Sequence, residues 1–307
     1  MKTLFSLLVF CIPFIIIGQN SPSVNSDPKL LNLIEEYSTI VNEDDNNIFS
    51  AATKKENVVD ITAEFWDTDH VKIDYNQDVQ FPINIQFKDS AYASPISRNK
   101  VVTSRYGWRK GRPHKGIDID LITGDSLFAM FDGVVRIADY SSGHGRTVVV
   151  RHFNGLETLY AHLSRYGVKE NDTVFAGSYL GKGGTSGNAR GSHLHLEMNY
   201  KGVAVNPEYL LNFNDENKIR SQEIWITKAW TRPELHNSKR QSKLELFSTE
   251  EEVIADLNKP ARMYIVKKGD TLSRISSRNN TTIAAICSSN NMRRNSTLRI
   301  GQKLIIE

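Results

Sequence analysis

The chain has 307 residues, 24% of them charged and 39% apolar, a globular composition with room for about two domains. That balance excludes a disordered chain and a bundle of membrane spans. The only cysteines are Cys11 and Cys287, so a thiolate metal cluster is excluded and any metal site must use histidines and carboxylates.

Lys2 precedes the apolar run LFSLLVFCIPFIIIG, which gives way to polar QNSPSVNS. This pattern predicts a secretory signal peptide over residues 1–19, leaving no stable membrane span once removed, with a retained N-terminal anchor as the alternative. Export to the periplasm, cell envelope or extracellular space follows. Cys11 leaves with the signal, and Cys287, in the helical pattern TTIAAICSS, reads as a buried structural thiol.

Residues 20–90 are acidic and glycine-poor, with alternating stretches such as HVKIDYNQDVQFPINIQF that allow some strands. Composition assigns them no function. Their charge and position give only the expectation that they pack beside or over whatever groove follows and restrain it.

From 91 to 213 the texture changes to short apolar strands (LFAMF, GVVRIA, RTVVVRHF, LETLYAHL, HLHLEM) punctuated by glycines. An all-β domain is expected. In SHLHLEM, strand alternation sends His193 and His195 to one face and Leu194 and Leu196 to the core. In HKGIDIDL, Ile117, Ile119 and Leu121 alternate with Asp118 and Asp120, so Asp118 faces away from the apolar side. Gly116 lets the chain bend so that His114 and Asp118 reach one ion. Two histidines and a carboxylate meet the three-ligand requirement of a catalytic zinc site.

Residues 214–261 are charged and aperiodic, with Trp225 and Trp230 as isolated anchors, and read as a semi-ordered linker. Residues 262–307 form a compact unit that runs strand, turn, two short helices, strand. They hold nine Lys or Arg against Asp270 and Glu307, a local charge of +7. Such a patch on an exported protein suits anionic wall polymers. Nucleic acid is excluded for want of any aromatic or motif pattern beside the charge.

The elements SRYGWR, HKGID, LYAHLS, GTSG…SHLHLE and NPEYLL, in this order over residues 97–210, resemble the lysostaphin-type (LytM-like) zinc peptidase family. The resemblance implies an antiparallel β-sheet groove with Zn2+ on its floor, held by His114, Asp118 and His195. His162 and His193 would be the catalytic histidines, and Tyr106 a possible oxyanion stabiliser, while His144 and His152 would stay structural. The implied substrate is a peptide crosslink or stem of peptidoglycan. The loop GKGGTSGNARGS departs from the family's shorter glycine–serine turn, which leaves the shape of one groove wall open. The tail, with YIVKKGDTLSRIS at its start and IGQKLII at its end, resembles a LysM domain, an α+β (βααβ) glycan-binding module. Asp270, Thr271 and Leu272 are its best candidates for glycan contact. Some relatives of this peptidase fold have lost metal ligands and activate wall amidases, the rival reading. All five site residues are retained here.

Overall fold

A computed structural model describes residues 61–307 apart from 64, 74, 76–78, 88–91, 100 and 214–217. The expected signal peptide and residues 20–60 of the acidic region lie outside the described residues.

The described chain is mainly β. In order the strands are β1 (Ile83–Gln86), β2 (Val102–Ser104), β3 (Gly107–Arg109), β4 (Arg112–His114), β5 (Ile117–Asp120), β6 (Ser126–Phe128), β7 (Gly133–Ser141), β8 (Gly145–His152), β9 (Leu156–Tyr166), β10 (Thr173–Val174), β11 (Tyr179–Gly183), β12 (His193–Tyr200), β13 (Val203–Val205), β14 (Glu223–Ile226), β15 (Arg262–Ile265) and β16 (Lys303–Ile306). The helices are α1 (Pro207–Leu210), α2 (Glu250–Leu257), α3 (Leu272–Arg278) and α4 (Ile283–Ser289). No helix among the described residues is long and apolar enough to cross a membrane.

One antiparallel sheet carries the order β10-β7-β8-β9-β12-β5-β2, with β11 and β6 continuing from β9 and β13 added to β12. Its central strands are rich in β-branched and aromatic residues, and both of their faces are buried. One face supplies the main core through Val148, Val150, Tyr160, Leu194, Leu196 and Met198. The other holds a small apolar cluster of Ile137, Val149, Leu159 and Ala161, with Val71 packed on it.

Beside that cluster, Glu157 accepts from Arg136 at 2.8 and 3.1 Å and from Arg151 at 2.9 Å. Arg136 is fully buried and also donates to the carbonyls of Asp67, His70 and Val71, while Arg151 donates to those of Ile61 and Phe65. Desolvating two guanidiniums is costly, and here almost every donor has an acceptor. Residues 61–75 are thereby strapped across this face of the sheet.

His152, on the main-core side, is 1% exposed and bonds the Asp132 carbonyl at 3.0 Å and Thr158 Oγ1 at 2.7 Å. Burial pushes its pKa down to about 4, against the opposing pull of those acceptors. The unfolded chain binds a proton near pH 6.5, so stability is full above that pH and falls as pH drops from 6.5 towards 4. The loss amounts to about 3 kcal/mol. A melting-temperature series from pH 7 to 4.5 is expected to show this slope, flattened in His152→Gln.

The segment expected as a semi-ordered linker is folded where described. Strand β14 pairs with β1 from Ile83–Ile226 to Gln86–Glu223. Ile224 and Ile226 are fully buried, and Trp230 stacks on Tyr209 at 4.0 Å and on His236 at 5.1 Å. Long-range pairing across some 140 positions leaves no periodic trace, which is why the segment read as a linker. The tail packs around its own core of Val266, Leu272, Ile275, Ile286, Cys287, Leu304 and Ile306, with β15 paired to β16. It contacts the preceding segment through Arg232, which reaches Glu307 at 2.7 Å and Ser288 at 3.3 Å, and through Thr282, whose hydroxyl donates to the Glu234 carbonyl.

Candidate metal centre

The pairing of β12 with β5 sets His195 opposite Asp118, and its pairing with β9 sets His195 opposite Ala161. The alternation read from the sequence holds: Leu194 and Leu196 are fully buried in the core, and His193 and His195 share the other face. His114 enters at the end of hairpin β3–β4. Gly107 opens that hairpin at φ +140°, where a Cβ would stand 2.6 Å from the His236 backbone, so only glycine lets the two segments close. The hairpin is further tied down by hydrogen bonds from Arg105 N to Ser238 O (2.8 Å) and from Trp108 N to His236 O (2.9 Å).

Three side chains converge. His114 Nε2 lies 2.9 Å from Asp118 Oδ1, His195 Nδ1 lies 2.8 Å from the same oxygen, and the two nitrogens are 3.1 Å apart. All three residues are less than a tenth exposed. His114 Nδ1 faces the Arg105 carbonyl at 2.8 Å, and His195 Nε2 faces Glu197 Oε1 at 3.2 Å. Each of those outer partners accepts, so in the neutral rings the proton sits on the outer nitrogen. The inner nitrogens and Asp118 Oδ1 then aim three lone pairs at one point. That arrangement repels itself unless a cation sits between. Zinc bonds of about 2.0–2.1 Å set tetrahedral ligand atoms about 3.3 Å apart, so a small adjustment of the observed triangle accommodates the ion.

Without an ion, protons take its place: burial would raise the Asp118 carboxyl and lower His195, but hydrogen bonding between them outweighs it, holding Asp118 well below the usual carboxylate range and lifting His195 to about 9. A bound cation would displace those protons from the inner nitrogens. The second oxygen of Asp118 accepts from Arg109 Nη1 at 2.8 Å, and Arg109 is steadied by Ser104 Oγ at 2.8 Å. Glu197, which orients His195, in turn meets His144 Nε2 at 3.6 Å.

His162 and His193 flank the triangle with ring centroids 4.7 Å apart, and His162 lies 5.9 Å from the His195 ring. His193 Nδ1 bonds the Gly191 carbonyl at 2.9 Å, and its Nε2 stands 3.8 Å from Asp118 Oδ1. His162 Nδ1 donates to Ser186 O at 2.8 Å. His162 sits at φ +65°, a left-handed residue within β9 where the register shifts, and its amide donates to His144 O at 2.9 Å. Such a bulge turns the side chain out of the strand's alternation and towards the cluster. Burial lowers the pKa of His162 to about 4, with the Ser186 carbonyl opposing, so the ring is neutral at neutral pH and its Nε2 is an unprotonated, weakly basic acceptor. The loop that supplies Ser186 is pinned by Gly145 at φ +71°, where a Cβ would come within 2.4 Å of Ser186. The five histidines and carboxylates named from the sequence therefore meet at the floor of one groove of about 870 Å³.

Tyr106 does not join them. It is 1% exposed, packs edge-on to His236 at 5.5 Å and donates its hydroxyl to Ala204 O at 3.3 Å, so it is a core aromatic here and reaches no oxyanion. Asp270, Thr271 and Leu272 are engaged inside the tail. Asp270 accepts from Tyr264 (2.7 Å) and Lys267 N (2.8 Å), Thr271 caps α3, and Leu272 is in the small core. Arg109, His144 and Glu197 were missed from the sequence. Only Glu197 had a signal, since it continues the His193–His195 face by strand alternation.

Residues 112–207 match the model of Peptidase family M23, and residues 264–307 match that of the LysM domain. The chain carries an M23 peptidase domain and a C-terminal LysM domain. The M23 region is 37% identical over 129 residues to an uncharacterised metalloprotease of Haemophilus influenzae, covering 42% of this chain and 26% of that protein. It is 38% identical over 112 residues to the DD-carboxypeptidase/endopeptidase Mpg of Neisseria meningitidis, covering 34% and 26%. Similarity extends to the murein hydrolase activator NlpD of Salmonella dublin, 34% identical over 107 residues, covering 34% and 28%. The chain thus spans about a quarter of the length of these curated relatives. Among solved structures, a mutant catalytic domain of the prophage-encoded M23 protein EnpA from Enterococcus faecalis is 34% identical, covers 38% of this chain and 95% of that one, and superposes with a TM-score of 0.36. The M23 match begins within the hairpin that delivers His114 and ends just beyond β13, so it contains the whole histidine–aspartate cluster.

Proposed function

We propose that this protein is an exported zinc endopeptidase that hydrolyses peptide crosslinks or stems of bacterial peptidoglycan, with its LysM domain binding the glycan. The observation that carries this reading is the convergence of His114, Asp118 and His195 with His162 and His193 beside them. A bound zinc supplies a Lewis acid that polarises a peptide carbonyl and acidifies water.

The chain's own residues would do the rest. His114, Asp118 and His195 hold the ion, with the Arg105 carbonyl and Glu197 fixing the two imidazoles and Arg109 occupying the spare oxygen of Asp118. His162 Nε2, neutral because it is buried, takes a proton from the attacking water and later delivers it to the leaving amine. His193, whose ring lies 4.7 Å from that of His162 and whose Nδ1 faces the Gly191 carbonyl, would donate from Nε2 in its imidazolium form to the oxygen on which negative charge develops.

The non-enzymatic alternative, an activator of a wall amidase, draws support from the NlpD relative. It is disfavoured by the intact ligand set, which an activator has no need to keep.

Alanine at His162 or His193 is expected to leave zinc stoichiometric while lowering kcat by roughly a hundred- to ten-thousand-fold. Metal analysis beside turnover of purified wall, with new termini identified by mass spectrometry, checks both halves. Zinc lost from these variants as readily as from a ligand variant would contradict the division of roles.

A further inference from the structure

The groove above the cluster is ringed by cations whose side chains have no partner among the described residues. Lys72, Lys110, Arg112, Lys115 and Arg190 all line it, all are exposed, and none of their side chains has a hydrogen bond or ion pair to another described residue. Three of them stand on or beside hairpin β3–β4, whose tip is Lys110–Gly111. Both tip residues have positive φ (49° and 82°), as a tight two-residue hairpin turn requires. Lys72 arrives from the strap held by Arg136 and Arg151, and Arg190 from the loop ahead of β12. Three separate segments therefore contribute charge of one sign to one groove.

Opposing charge is scarce. Asp118 is occupied by His114, His195 and Arg109, and Glu197 by His195 and His144. Asp120 is the one lining carboxylate with no partner among the described residues. Exposed cations without an ion pair also occur elsewhere, for example Lys268 and Arg299 in the tail; what distinguishes the groove is that three separate segments aim theirs into one cleft. Like charges held in a cleft raise the local concentration of an anion and repel a cation.

We infer that the groove is selective for an anionic peptide, one carrying free carboxylates on the residues flanking the scissile bond, over a neutral peptide of the same backbone. This rests on the peptidase reading only in naming the ligand a peptide. Arg112 and the hairpin tip would meet carboxylates on one side of the metal cluster, and Arg190 those on the other. Arg112 supplies the planar fork that binds a carboxylate through two parallel hydrogen bonds, and the lysines supply diffuse attraction.

The test uses two fluorescent peptides of one sequence, one with glutamate-type side-chain carboxylates, the other with those groups as carboxamides. Binding is read by anisotropy on the zinc-loaded full-length His162→Asn protein, so that nothing is consumed. The carboxylate peptide is expected to bind at least about tenfold more tightly at 50 mM salt, and the difference to shrink severalfold by 500 mM as screening shortens. The double variant Arg112→Gln, Lys115→Gln should lose most of the preference. Equal affinities, a preference for the carboxamide, or a preference unmoved by both salt and the double variant would each overturn the inference. Hydrolysis by the unmutated chain is measured separately. Preference without hydrolysis would remove the peptidase reading and keep the anionic groove, whereas hydrolysis without preference would do the reverse.

Discussion

Alanine at His195 is expected to abolish hydrolysis and empty the metal site in one step. His195 Nδ1 stands 2.8 Å from Asp118 Oδ1 and 3.1 Å from His114 Nε2, so its loss opens one full side of the triangle. It also strands Glu197, whose buried carboxylate loses its 3.2 Å contact and keeps only His144 at 3.6 Å. Two ligands hold zinc far more weakly than three, and activity should fall by roughly four orders of magnitude or more. Asp118→Ala and His114→Ala should behave alike. A readout independent of turnover comes from mass action: a ligand that binds only the folded state raises its melting temperature. A chelator should therefore lower the melting temperature of the unmutated protein and leave that of His195→Ala unmoved. Stoichiometric zinc in the purified His195→Ala protein would refute the assignment.

A chain ending near residue 215, at the boundary suggested by composition, is expected not to fold. It lacks β14, and with it the only sheet partner of β1 among the described residues. It also lacks Ile224, Ile226 and Trp230, each of which is at least nine-tenths buried. At about 1.5–3 kcal/mol for each buried side chain, the loss is about 5–9 kcal/mol, against a total stability that is typically about 5–15 kcal/mol. Removal of Ser238 and His236 would in addition free the hairpin that positions His114. A chain ending after Asn258 keeps all of these and also α2 with its buried Val253, so it should melt cooperatively and retain zinc. Calorimetry on the two truncated chains decides the matter. A cooperative melt of the shorter one at the full-length temperature would show that residues 219–247 are dispensable.

What was legible in the sequence was whatever repeats locally. The two-residue period of HLHLEM and HKGIDIDL set His193, His195 and Asp118 apart from the leucines and isoleucines of the core, and the structure keeps that division. What depends on distant segments was not legible. Tyr106 sits in the same stretch as the hairpin that delivers His114, yet its ring packs against His236, about 130 positions away, and no local pattern records that contact. His144 reaches the site from a turn and Arg109 from the last position of the three-residue strand β3, where the strand is too short for a side-chain period to show. The +7 tail drew attention to charge at the C-terminus, whereas the groove cations come from three separate places, Lys72, the stretch RKGRPHK and Arg190, and only the fold brings them together.

His162 occupies a backbone conformation that suits glycine or asparagine, and a histidine there holds strain of order 1–3 kcal/mol. Anyone needing an inert reference protein should weigh this. Alanine would remove the imidazole while keeping the disfavoured Cβ, leaving a hole and no relief. Asparagine tolerates the left-handed twist and can still offer a side-chain amide towards Ser186, so it silences the position with least disturbance to its surroundings. The same reasoning says why drift towards an easier residue would be a hazard for the lineage: at this position, a protein relaxing into greater comfort would give up the imidazole proposed to carry the proton.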